Sequence, residues 1–333
     1  MKKMTIAEVA SAAGVSKATI SRFLNGNYGK MSADTQERIR QTIQRLNYRP
    51  NKQAQMLKTN RSGLIGFIVA DMGNLYSSKL LSGASAVARE NDYQLVIMES
   101  NNSLVSEEDA LKKFVDQSVE GILIQPISED SSRYESVGKR CPMVLVDRQT
   151  TPKTWPAVIV DNALSTKYLA EYIVKKGYSK IAIFSESLTT DVRRKRYAGM
   201  REVAKEHSLE SELVEVGNLQ LTNTYSDMKK RVSELVSEDE KIAIFASNSQ
   251  TLLMVLRILD DLRIKIPDEV GVSGYDDWNW AFLAQPAITS IEQNASDVGA
   301  EAMRMLLADI DPLRESVKET KVIPSKINIR ESI

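Results

Sequence analysis

One cysteine and one histidine in 333 residues remove much metal and nucleophile chemistry at the outset. Cys141 has no internal partner for a disulfide, which suits a reducing cytoplasm. Together with His207 it builds neither a paired-cysteine nor an HExxH zinc site, and no His-based triad. None of the fifteen glycines stands two residues from another, so no GxG dinucleotide fingerprint exists, and no GxxxxGK[ST] phosphate loop occurs. No segment approaches eighteen uncharged apolar residues, and MKKMTIAEVA has no apolar run before Glu8, so neither a membrane span nor a signal peptide is expected. A two-lobed enzyme is the alternative these absences weigh against. The expectation is a cytoplasmic non-enzyme with no cofactor, no metal and no membrane partner.

A formal net charge of zero hides a strong asymmetry. Up to Arg61 there are twelve lysines and arginines against Glu8, Asp34 and Glu37, a net +9. The rest therefore carries 32 basic against 41 acidic residues, a net −9. A basic head on an acidic body is the electrostatic footprint of nucleic-acid binding confined to one end.

The head reads as a helix-turn-helix. In TIAEVASAAGVSKATISRFLN, Thr5 and Glu8 have capping-box spacing, and Ile6, Val9, Ala10 and Ala13 recur at helical period. Gly14 supplies the left-handed stop, Val15 fills the gap, and Ser16 caps a second helix that buries Ile20, Phe23 and Leu24. Lys17, Ala18, Ser21, Arg22 and Asn25 are left on the outer face. Arg22 can bond guanine O6 and N7, and Ala18 can touch a thymine methyl. An ordinary helical hairpin would leave the basic excess without a role. Ser32 opens a third helix with Ile39, Ile43 and Leu46 inside, completing a domain over 1–49. Residues 50–61 follow, where Pro50 suits a first helical turn and Asn51 to Lys58 could form two more; two turns are unstable alone, so this reads as a hinge that orders on DNA.

From Leu64 onward, apolar runs (LIGFIVA, YQLVIME, GILIQ, MVLVD, AVIVD, then KIAIFSE, LVEV, KIAIFAS, VGVSGYD) alternate with amphipathic helical stretches. Continuous β-branched runs between helices are the mark of parallel sheets covered on both faces. The fold class is therefore α/β, an all-α head on a body of two doubly wound lobes over 62–333, with a ligand between them at the carboxyl ends of the strands.

The segments GVSKATISRFLN, NYRPNKQAQMLK, VDNALSTKYLAEYIVKKGYSKIA and IPDEVGVSGYDDWNWAFLAQPAITSIEQ closely resemble the LacI/GalR family of bacterial transcription regulators. The resemblance covers essentially the whole chain. It implies a homodimer on a pseudo-palindromic double-stranded operator, with a periplasmic-binding-protein-like body whose cleft holds a small effector. The lobes would be interwoven: lobe 1 about 62–162 plus 294–321, lobe 2 about 163–293 plus 322–333. The DNA-facing set would be Thr5, Ser16, Lys17, Ala18, Ser21, Arg22 and Asn25, joined by Asn51, Ala54, Leu57 and Lys58 of the hinge, with Leu57 as the minor-groove wedge. The absence of leucine heptads after Ile333 implies a dimer and no tetramer.

The same resemblance brings Asn74, Tyr76, Arg148, Arg196, Asn248, Asp276 and Trp278 to the effector. Ser77 stands where many relatives have a second aromatic. Guanidinium forks on Arg148 and Arg196 match a carboxylate or carbonyl, and GYDDWNWA resembles regulators of 2-keto-3-deoxygluconate and hexuronate catabolism, so a sugar acid leads and a neutral sugar or nucleoside follows. Plainer roles stand beside these: Asn248 as a helix cap, Arg148 as an ion-pair partner, Tyr76, Trp278 and Trp280 as packing between lobes, and His207 at the surface. A phosphorylated carrier protein is the alternative controlling partner.

Overall fold

The computed structural model describes residues 4–29, 31–48, 61–217, 222–238, 240–311 and 319–333, which form two compact units, Met1–Ser62 and Gly63–Ile333. The hinge residues Asn51, Ala54, Leu57 and Lys58 lie outside the described residues.

The head contains α1 (Ile6–Ala12), α2 (Lys17–Leu24) and α3 (Ala33–Arg45). Thr5 closes the capping box: its hydroxyl accepts from the Glu8 amide, and Glu8 Oε2 accepts from the Thr5 amide at 2.7 Å. Gly14 sits at φ +66°, the left-handed conformation that ends α1 without a Cβ clash. Ser16 and Ser32 each accept from the amide three residues on. Val9, Ala10, Ala13, Ile20, Ile39 and Tyr48 form the buried centre, with Ile6, Phe23, Leu24, Ile43 and Leu46 packed around it.

In the body, β1 (Leu64–Val69), α4 (Leu75–Glu90), β2 (Gln94–Glu99), α5 (Leu104–Asp116) and β3 (Gly121–Ile124) begin the first lobe. A short α6 (Glu135–Gly138), absent from the sequence reading, precedes β4 (Met143–Val146) and β5 (Ala157–Val160). The chain then enters the second lobe. There α7 (Asn162–Lys175), β6 (Lys180–Glu186), α8 (Asp191–Glu206), β7 (Glu210–Val216), α9 (Thr222–Val236), β8 (Ile242–Ala246), α10 (Ser249–Leu262), β9 (Gly271–Tyr275) and β10 (Thr289–Glu292) follow in turn. Helix α11 (Ala295–Ile310) and β11 (Thr320–Ile323) return to the first lobe, and β12 (Lys326–Asn328) ends on the second.

The two sheets are wound alike, in the orders β11-β5-β4-β3-β1-β2 and β12-β10-β9-β8-β6-β7. Every pairing is parallel except β10 with β12. Strands β3, β4, β5, β8 and β9 are buried at every position, as continuous apolar runs covered on both faces require, whereas edge strands β2 and β7 are partly open. One boundary differs from expectation. Val322 and Ile323 pair with Ile159 and Val160, so the first lobe keeps the returning segment beyond Lys321, and Asn162 already opens a helix of the second. Hydrogen bonding to β5 decides this, and the apolar character of VIPSKI does not distinguish the two sheets.

Helices α4 and α11 touch backbone to backbone. A Cβ on Gly83 would fall 1.8 Å from the Ser296 carbonyl oxygen, and one on Gly299 would fall 2.0 Å from that of Leu80. This crossing fastens the returning helix to the first lobe.

Candidate functional site

On the head, Lys17, Ala18, Arg22 and Asn25 are exposed and Ser21 is half-buried, while Ile20 on the opposite side of α2 is fully buried. Thr5 and Ser16 are also exposed, and both hydroxyls serve their own helix starts. Phe23 meets Tyr28 edge-on with centroids 5.6 Å apart, which seats the loop leaving α2. The result is a short helix whose apolar side is fixed to a small core and whose free side carries two cations and three small or polar groups. Such a face fits base edges in a major groove.

On the body, residues beyond the carboxyl ends of equivalent strands converge from both lobes. Asp147 follows β4 and Asp276 follows β9, the fourth strand in chain order of each sheet. Both are buried, and both are left-handed at φ +69° and φ +70°. Glutamines hold both carboxylates. Gln125 donates to Asp147 Oδ2 at 3.3 Å while accepting from the Ala70 amide at 3.1 Å, and Gln293 donates to Asp276 Oδ1. Burial raises the Asp276 pKa against the lowering influence of Arg196 and Gln293, and the Asp147 carboxylate raises it further.

Tyr76 on α4 and Trp278 after β9 pack across the lobes, with ring centroids 6.2 Å apart. The Trp278 Nε1 is buried with no hydrogen-bond partner among the described residues. Burial first, then the Asp147 charge and a hydrogen bond to Asp147, then the Asp276 charge, push the Tyr76 pKa well up.

Arg196 is 5% exposed and tightly held. Its Nε donates to Asn162 Oδ1 at 2.8 Å, its Nη1 to the Ser247 carbonyl at 2.7 Å, and its guanidinium carbon lies 3.6 Å from the Tyr275 ring centroid. Of the neighbouring basic run, Arg193 pairs with Glu186, Lys195 with Asp191, and Arg194 reaches Glu129 of the first lobe. Arg148 is partly buried, donates to the Pro126 carbonyl at 3.3 Å and stands 3.9 Å from Asp147. Asn74 and Asn248 both cap helices, accepting from the Tyr76 and Thr251 amides at 2.9 Å, and Asn248 Nδ2 also donates to Glu186. Trp280 packs on the second-lobe core, and His207 is an exposed partner of Glu171 at 3.2 Å.

Sequence reasoning passed over Asp147, Gln125, Gln293, Asn162 and the Glu129–Arg194 pair. Asp147 left a signal: VLVD and SGYD are the same strand end in the two lobes, each closing on aspartate. Among the described residues, no group of histidine, cysteine and carboxylates is placed to hold a metal ion, and no helix is long and apolar enough to cross a membrane.

Two family models match: "Bacterial regulatory proteins, lacI family" over residues 5–51 and "Periplasmic binding protein-like domain" over 170–333. The chain is 31% identical to the HTH-type transcriptional regulator KdgR of Bacillus subtilis, covering 99% of this chain and 97% of that protein. The chain belongs to the lacI family. It is likewise 30% identical to the HTH-type transcriptional regulator PtxS of Pseudomonas aeruginosa, over 99% of this chain and 96% of that one. In fold it matches a crystal structure of the lac repressor dimer bound to operator and the anti-inducer ONPF, with TM-score 0.88, 23% identity and 99% of each chain covered. Membership of the lacI family makes the helix-turn-helix head a DNA-binding module and the chain a transcriptional regulator.

Proposed function

We propose that this regulator is a cytoplasmic, non-enzymatic, dimeric repressor of sugar-acid catabolic genes, whose operator affinity is set by a small effector between the lobes. The observation that carries the effector reading is the meeting of Tyr76, Asp147, Arg196, Asp276 and Trp278 at the strand ends, with the Trp278 Nε1 buried and without a hydrogen-bond partner among the described residues. Carboxylates take paired sugar hydroxyls, and the Trp278 Nε1 and the Arg196 guanidinium supply donors for an effector oxygen. Arg148, Asn74 and Asn248 border the same space and fix its walls.

A two-fold dimer presents two copies of α2 to half-sites about one turn of DNA, roughly 10 bp, apart. Apolar surface supports a second copy: exposed Phe282 and Leu283 on the second lobe, and on the first a groove of about 480 Å³ between α4 and β2, lined by Leu81, Tyr93, Leu95 and Ile97 among others. Effector in the cleft fixes the angle between lobes and so biases how the two copies of α2 are presented to DNA, a coupling of about 1–3 kcal/mol.

A thermal-shift screen of sugar acids, neutral sugars and nucleosides, followed by operator titration with each hit, tests the reading. A sugar acid that raises the melting temperature and changes operator affinity about 5- to 150-fold is the expected result. Operator affinity that answers only to an added phosphorylated carrier protein would overturn the effector cleft.

A further inference from the structure

The run Arg193-Arg194-Lys195-Arg196 treats its four cations unequally. Arg193 pairs with Glu186 at 2.7 Å, Arg194 with Glu129 at 2.5 Å and Lys195 with Asp191 at 2.6 Å, and all three are half-buried or exposed. Arg196 is the buried member. Among the described residues it forms no ion pair with a carboxylate, whereas Arg148, the other arginine near the strand ends, has its Nε 3.9 Å from Asp147.

What holds Arg196 is neutral. Asn162 Oδ1 accepts from its Nε at 2.8 Å, the Ser247 carbonyl accepts from its Nη1 at 2.7 Å, and its guanidinium carbon stands 3.6 Å from the Tyr275 ring centroid. An arginine only donates, so the amide oxygen of Asn162 is the atom that faces it. The mount is firm: α7 and α8 approach so closely that a Cβ on Gly199 would fall 2.8 Å from the Ala163 carbonyl oxygen, and the Tyr275 and Ser165 hydroxyls bond at 2.7 Å. Asp276 does not close the account as a bonded partner. Burial raises its pKa by more than the Arg196 charge lowers it, and its Oδ1 is taken by Gln293. A cation removed from water and given neutral contacts alone is costly, and an anion that enters from outside relieves that cost.

We propose that Asn162 is a specificity-determining residue for an anionic effector: it fixes the Arg196 guanidinium through a neutral oxygen and so leaves the positive charge to the effector's carboxylate. The inference rests on the effector reading of the cleft. An aspartate at 162 would have nearly the same shape and offer the same oxygen, but it would neutralise Arg196 from within the protein. A neutral ligand asks of Arg196 a donor and no charge, which either residue leaves in place.

Calorimetric titration of the full-length protein near neutral pH tests this, with 2-keto-3-deoxygluconate and galacturonate as probes, each as the acid and as its primary amide. The parent should bind at least one acid about tenfold or more tighter than its amide. In Asn162→Asp that margin should vanish, the acid weakening at least about tenfold while the amide stays within about threefold of the parent. Asn162→Ala removes the anchor and keeps the charge free, so both forms should weaken by a similar factor and the acid should remain preferred. Equal binding of acid and amide by the parent would overturn the proposal whatever the variants do. An acid affinity that Asn162→Asp leaves unchanged would overturn it, and so would a parallel fall for acid and amide in that variant, which would make Asn162 a structural residue. Binding of neutral sugars alone would overturn it too, yet leave the effector cleft standing if those sugars change operator affinity. Loss of operator response to every sugar and acid would strike the effector reading itself.

Discussion

Tyr76 of the first lobe and Trp278 of the second pack against each other at 6.2 Å between centroids, with their planes inclined by 56°, and the Trp278 Nε1 is buried with no hydrogen-bond partner among the described residues. Their rings join the two lobes through apolar contact.

Tyr76→Phe removes a buried hydroxyl on which the Asp147 carboxylate bears and keeps the ring. Effector affinity should drop about tenfold, with stability changed by no more than the worth of one hydrogen bond, about 1 kcal/mol. Calorimetry and thermal unfolding on the same preparation check both. Unchanged effector affinity would remove the hydroxyl from the effector's contacts.

Arg196→Lys should fail as completely as Arg196→Ala. A lysine ammonium cannot stack flat on Tyr275 while donating to both Asn162 and the Ser247 carbonyl. Operator titrations with and without effector should show basal binding retained and the response lost in both. Recovery of the response by lysine would reduce Arg196 to a point charge.

On the head, Arg22→Ala should weaken operator binding by about 1–3 kcal/mol and relax discrimination at one guanine per half-site. Competition against operators altered at single positions reads this directly. Equal losses on operator and random DNA would place Arg22 on phosphate only.

Gly83→Ala and Gly299→Ala should each destabilise the body by about 1–3 kcal/mol or more, because each new methyl meets a carbonyl oxygen of the opposite helix and backbone cannot move aside as a side chain does. Denaturant melts monitored by circular dichroism are the measurement. Parent-like midpoints would show that α4 and α11 slide apart freely.

Asp277 is buried, which raises its pKa, but hydrogen bonds from Arg330, Ser290 and Asn328 outweigh burial and leave it below the usual carboxylate range. A depressed folded-state pKa contributes stability that is present above the unfolded value and lost as pH falls through the folded one. Asp277→Asn should thus cost about 2 kcal/mol at neutral pH, with the gap closing below about pH 4. A gap that stays constant into acid would remove the charge from the argument.

The helix-turn-helix and the alternating strands were legible in sequence because their signals are local. A cap and its amide lie three residues apart, as Thr5 and Glu8 do, and a strand buried on both faces must be apolar at every step, as in MVLV and AVIV. The charge split between head and body was equally plain, since net charge needs no coordinates. Tertiary structure alone decided what meets at the cleft. Asp147 and Asp276 are separated by a whole lobe of chain, and only equal winding of the two sheets brings their strand ends together. It also decided that Val322 and Ile323 stay with the first sheet. These outcomes depend on which backbone groups lie opposite a given side chain, a relation between distant segments that neither periodicity nor composition encodes.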